Sequence, residues 1–126
     1  MHGPIFVFGS NEAGVHGAGV ARFAVEHHGA IMGQGVGIQG NSYGIPTKDH
    51  QIQTLPLPCI ASYVRGFLKF AEHRLDITFH VTQIGCGLAG LEPKDIAPMF
   101  HDAPSNCQFS SAWEQWLPGR TYWTDK

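Results

Sequence analysis

The chain has 126 residues, 43% of them hydrophobic and only 14% charged, with a formal net charge of -2. The length predicts one domain over 1–126, and the slightly acidic balance lacks the basic footprint that an extended nucleic-acid surface needs. No apolar run reaches the roughly 18 residues of a membrane span and no signal peptide is recognisable, so a cytoplasmic protein without a membrane partner is expected.

The segment PIFVFGSN is a short apolar run ending in a turn, which predicts a buried strand over 5–8. GAGVARFAVEHHG is apolar nearly all round, at Val20, Ala21, Phe23, Ala24 and Val25, and ends on Gly29, where a left-handed cap belongs. It reads as a helix lying against a sheet. The glycine-dense stretch that follows predicts loop with one edge-like strand over 42–45, halted by Pro46.

Pro58 stands at a first helical position, and Ile60, Val64, Phe67, Leu68 and Ala71 share one helical face behind it. DITFHVTQI predicts a strand over 77–84, EPKDIAPMF a short helix kinked near Pro98, and NCQF a weak strand. Residues 105–126 form an aromatic-rich tail. The alternation of strands and helices points to a parallel or mixed sheet with covering helices.

Cys59, Cys86 and Cys107 have no CxxC spacing and the histidines no metal-motif spacing. Neither a disulfide framework, a metal site nor a cofactor is expected. Residues 85–90 spell GxGxxG, yet a dinucleotide fingerprint belongs after the first strand, with an acidic residue about 20 positions on, and neither condition holds. A P-loop fails because no GK[ST] occurs. Cys86 as a nucleophile needs a base that the sequence does not identify, and a small residue lining a loop is the plainer reading. What remains is a pair of glycine loops, 9–19 and 85–90, each between a strand and a helix, whose backbone N–H groups converge on an anion.

Taken in order, FVFGSNEAG, HGAGVARFA, GIQGNSYGIPTKD and VTQIGCGLAGLEPKDI resemble the macro domain family. The likeness is greatest to the branch of terminal ADP-ribose glycohydrolases and of antitoxins that remove ADP-ribose from DNA. The resemblance covers residues 5–100 and implies a single compact, three-layer α/β domain, with a mixed, mostly parallel sheet covered by helices. It implies a ligand of the ADP-ribose type, held at the first turn by Gly9, Ser10 and Asn11, with Asn11 toward the distal ribose. Gly17, Ala18, Gly19 and Val20 would face the diphosphate and ribose. Gly85, Cys86, Gly87, Leu88, Ala89, Gly90 and Leu91 would wrap the phosphates from the other side.

On these motifs the positions expected to carry a catalytic lysine or aspartate read Ala18, Ala21 and Ala89, and a methyl group neither attacks a carbon nor activates water. Binding without the usual hydrolysis is therefore the leading expectation. A second is an ADP-ribosyl or phosphoester hydrolase using His16 and Asp49 with His50, from a loop that also holds Lys48. A third is an interaction module with a vestigial cleft, oligomerising through the aromatic tail. The motifs begin at the strand that is usually third in that family, which leaves the adenine-reading aspartate without a counterpart. Phe109, Trp113 and Trp116 are then the candidates to stack on a base, with core packing or a dimer contact the plainer reading of the same residues.

Overall fold

Four apolar residues open the first strand because both of its faces are covered. In the computed structural model, which describes residues 3–123, β1 (Ile5–Asn11) sends Ile5 and Val7 to one face and Phe6 and Phe8 to the other. Period-two alternation of side chains with burial on both sides produces such a continuous run. α1 (Gly19–His28) covers the Phe6/Phe8 face through Ala21 and Ala24, and it ends at Gly29 in the left-handed conformation (φ 74°). α2 (Leu57–Glu72) covers the Ile5/Val7 face through Ile60, Val64, Phe67 and Ala71. Each large side chain buried there stabilises the fold by roughly 1.5–3 kcal/mol.

The remaining elements are β2 (Gly37–Gln39), β3 (Ser42–Lys48), β4 (Phe79–Val81), β5 (Cys107–Ser110) and β6 (Tyr122–Trp123), with α3 (Pro93–Ile96) running into a 3-10 turn at Ala97–Phe100. The sheet order is β2-β3-β1-β4-β5-β6, and every neighbouring pair is parallel except β2 with β3. The result is a three-layer α/β domain with a mixed, mostly parallel sheet, as the sequence predicts. Among the described residues no helix is long and apolar enough to cross a membrane.

Three expectations are corrected. The strand expected at an edge over 42–45 is an inner one, β3, which continues through Pro46 to Lys48 with β2 outside it. Pro46 is tolerated because it pairs with Ser10 at the point where the β1–β3 register slips, so no ladder N–H is needed there. β4 is much shorter than 77–84: the N–H of Ile77 bonds the Arg74 carbonyl in a turn, and that of Ile84 bonds Thr82. In the tail, the stacking role on a base fails for Phe109 and Trp113 and the core-packing reading holds. Phe109 and Trp113 are fully buried in the larger core, Trp116 and Tyr122 pack against it, and β6 extends the sheet. Residues 124–126 of that expected tail lie outside the described residues.

β2 is the outermost strand, and the Gln34 side chain lies along it, donating Nε2–H to the carbonyls of Val36 (3.1 Å) and Ile38 (2.8 Å).

Candidate functional site

A cleft of about 540 Å³ crosses the carboxyl ends of the strands. The lining residues follow the sheet order: Thr47 and Lys48 at the end of β3 with Ile52 beyond it, Gly9–Asn11 at β1, Thr82, Gln83, Gly85 and Cys86 beyond β4, Ser110 at β5 and Trp123 at β6. Five strand ends at a spacing of about 4.8 Å make a groove on the order of 19 Å long. Its middle is where the first and second glycine loops meet. A Cβ placed on Gly19 would lie 2.8 Å from Leu88 Cδ1, so the loops touch across the groove.

Three of the four hydroxyls of described residues in the wall already donate to backbone carbonyls, and the fourth, Ser110, accepts from the Ala112 N–H. Thr82 Oγ1 donates to the Val7 carbonyl (2.7 Å), Thr47 Oγ1 to that of Ser10 (3.3 Å), and Ser10 Oγ to that of Gly35. Several backbone N–H groups are not so committed. α1 begins at an extended Ala18 with no side-chain cap, and its first internal bond is Arg22 N–H to Ala18 O. The amides of Gly17, Ala18, Gly19, Val20 and Ala21 therefore have no protein acceptor among the described residues. Those of Gly85, Gly87, Leu88 and Ala89 have none either. Unpaired donors at a helix start favour an anion, and the helix dipole adds to that preference.

Two expected ligand contacts are used up inside the second loop. Gly90 donates its N–H to the Gly87 carbonyl and Leu91 to that of Gly85, and neither lines the cleft. Leu91 instead packs on the larger core. Asn11 does line the cleft, but its amide holds the following turn, donating to the Val15 carbonyl (2.7 Å) and accepting from the Val15 N–H (2.9 Å). Cys86 lines it too, half-buried, and burial pushes its thiol above the ordinary value, which disfavours a thiolate nucleophile.

The proposed acid–base pair is not assembled. His16 is only 2% exposed, lies edge-on to Phe8 and bonds the Gln34 carbonyl through Nε2 at 2.8 Å. Asp49 caps its own turn, Oδ1 accepting from Gln51 N–H (2.9 Å) and Gln53 N–H (3.0 Å). His50 points at Glu12, 3.6 Å away, whose other oxygen accepts from Tyr63, and that bond pushes the phenol up to about 12. None of the three lines the cleft. Among the described residues no cluster of three or more His, Cys, Asp or Glu could hold a metal.

Of the lining residues that sequence reading did not name as ligand contacts, two stand at the ends of the cleft. Among the described residues Lys48, at the end of β3, is the one charged side chain in the wall, and it has no ion-pair partner among them. Sequence reading placed it in a loop near the cleft but looked for the family's cation at Ala18. Trp123 closes the opposite end. One face of its indole stacks on His80 (5.0 Å, 5° between planes) and Nε1–H donates to the Val81 carbonyl at 3.0 Å. The Trp-Thr pair at 123–124 carries no sequence signal for this role, because the role depends on β6 pairing with β5.

No protein-family model matches the chain, and no curated protein does. Among solved structures, the macrodomain of Mycobacterium tuberculosis DarG is similar, with a TM-score of 0.58 and 18% identity over 96% of this chain and 88% of that one. The fold is that of a macro domain, in agreement with the resemblance read from the motifs.

Proposed function

On this macro-domain fold, we propose that the chain binds ADP-ribose or a closely related nucleoside-diphosphate sugar. The base lies at the Trp123 end, the diphosphate between the two glycine loops, and the distal sugar beside Lys48 and Asn11. The observation that carries this reading is the chemistry of the wall among the described residues: unpaired N–H donors and one lysine, three hydroxyls already donating to backbone carbonyls, and no carboxylate. Such a surface favours a dianionic linker and repels nothing about it. A flat indole at one end suits a base, because stacking on an aromatic needs no hydrogen-bond code.

Calorimetry with ADP-ribose, ADP and ribose 5-phosphate tests the reading. Trp123→Ala is expected to weaken ADP-ribose about 10- to 100-fold while sparing ribose 5-phosphate. No heat and no thermal shift at millimolar ADP-ribose overturns it.

Lys48 favours a second reading, cleavage of an ADP-ribosyl bond. An ammonium beside the distal sugar, with no counter-ion among the described residues, is placed to give a proton to the leaving group as its bond to the anomeric carbon breaks, with water supplying the hydroxyl that replaces it. Release of ADP-ribose from modified DNA or protein, abolished by Lys48→Ala but not by His16→Ala, supports turnover. Unchanged substrate after prolonged incubation leaves binding alone.

A further inference from the structure

Ile52 is the one residue other than glycine with a positive φ (62°) among those described. A β-branched side chain is sterically disfavoured there, where a turn would ordinarily recruit glycine or asparagine. Core packing does not explain the choice. Ile52 belongs to neither buried cluster, is 42% exposed, and lines the cleft at the Lys48 end.

The turn around it is held from several sides. Asp49 Oδ1 accepts from two backbone N–H groups within the turn, and Ile52 N–H donates to the Asp49 carbonyl at 3.0 Å. Thr54 Oγ1 donates to the Ala89 carbonyl at 3.0 Å, tying the turn to the second glycine loop. His50 reaches Glu12, which also accepts from Tyr63 on α2. A conformation kept strained by surrounding bonds, with the strained side chain delivered to a cleft, marks a position whose side chain is needed there.

We infer that Ile52 is a specificity-determining residue that lays its aliphatic side chain against the C–H face of the distal sugar, so that a nucleoside-diphosphate sugar is preferred to the bare diphosphate. This rests on the ligand orientation proposed above: the sheet order puts Trp123 and Ile52 at opposite ends, with the phosphate-binding amides between them. Ile52 thus meets what lies beyond the second phosphate. Lys48 supplies charge at that end, and Ile52 supplies shape.

The test uses calorimetry and thermal melting on the whole chain. Ile52→Gly relieves the strain, so its Tm is expected to be unchanged or raised by up to about 5 °C. Its affinity for ADP-ribose is expected to fall about 10-fold, and for ADP by less than about twofold. Ile52→Val, which rebuilds a β-branched wall, is expected to recover ADP-ribose affinity to within about threefold of the original. An unchanged ADP-ribose affinity in Ile52→Gly, or an equal loss for both ligands, overturns the assignment alone. So does a Tm lowered by more than about 5 °C, since that reveals a packing role. Failure of the unmodified protein to bind ADP-ribose overturns the proposed function, and this assignment with it.

Discussion

The loop that opens α1 and the loop that follows β4 both present unpaired N–H groups to one cleft, but they do so for different physical reasons. At α1 the donors are the orphan amides of an uncapped helix start, and residues of any type supply them, Ala18, Val20 and Ala21 among them. After β4 no helix begins at once. The loop folds on itself, spending the amides of Cys86, Gly90 and Leu91 on its own carbonyls and leaving those of Gly85, Gly87, Leu88 and Ala89 open. Counting glycines is therefore a poor guide to counting donors. Glycine is demanded where the backbone turns left-handed or where the loops approach each other, as at Gly19 and Gly85.

Gly19→Val should separate these roles most sharply. A β-branched residue at φ 60° strains the helix start, and its Cβ, 2.8 Å from Leu88 Cδ1, displaces the Leu88 side chain that bridges the loops. We expect more than a 100-fold loss of ADP-ribose affinity and a destabilisation of about 1–3 kcal/mol, read by calorimetry and urea melts. If binding persists, the contact between the loops has no part in closing the groove.

Gly85→Ala is the corresponding change in the second loop, at φ 77° with a Cβ 3.1 Å from the flexible end of Leu91. A loss of about 1–2 kcal/mol of stability is expected, with roughly 10-fold weaker binding. Gly90→Ala meets open space at φ 75°, so backbone strain acts alone, at a cost of about 1 kcal/mol and a smaller effect on affinity. Equal effects at Gly85 and Gly90 would show that strain, not the fit against Leu91, governs this loop.

The mildest probe is pH, and it should touch the first loop more than the second. Burial lowers the His28 imidazole below its ordinary 6.5, helped by neighbouring His27 and His80. Burial likewise lowers His80, against a hydrogen bond with Gln108 that raises it. His28 lies on α1 and stacks on Phe6 at 4.1 Å. As pH falls, the unfolded chain takes up these protons first. The stabilisation is thus full above about 6.5 and is lost as pH drops through the lower folded values. We expect Tm to fall by a few degrees from neutral to mildly acidic pH. Amide protection, corrected for the slower intrinsic exchange in acid, should fall at α1 before it falls at the bonded amides of Gly90 and Leu91; the reverse order would place the sensitive histidines elsewhere.

Much of this was legible because periodicity and punctuation are local. The left-handed Gly29, the apolar face of α2 and the run in β1 each declare themselves within a few residues. The strand over 5–8 extends to Asn11, but its start and burial are as expected. What was not legible depends on distant partners: β3 passes through Pro46 only because the register slips at Ser10, and β6 exists only against β5. The site divides in the same way. Loops 17–20 and 85–89 follow from glycines placed after strands. His16 and Asp49 were chosen by residue type, which says nothing of burial or of bonds already made: Asp49 Oδ1 holds its own turn, and His16 is buried with Nε2 on the Gln34 carbonyl and Nδ1 without a partner among the described residues. Lys48 was undervalued for the converse reason, since only the fold shows that it lines the cleft with no ion-pair partner among the described residues.

The Gln34 amide has a consequence for handling the protein at high concentration. Ile31, Met32, Val36 and Ile38 are all exposed beside the outermost strand, a sticky combination if free carbonyls also invite another chain to add a strand. Two of those carbonyls already hold the Gln34 side chain. One side-chain amide thereby occupies two of the carbonyls that a strand added at this edge would need, a guard against fibre-like association built from a single residue.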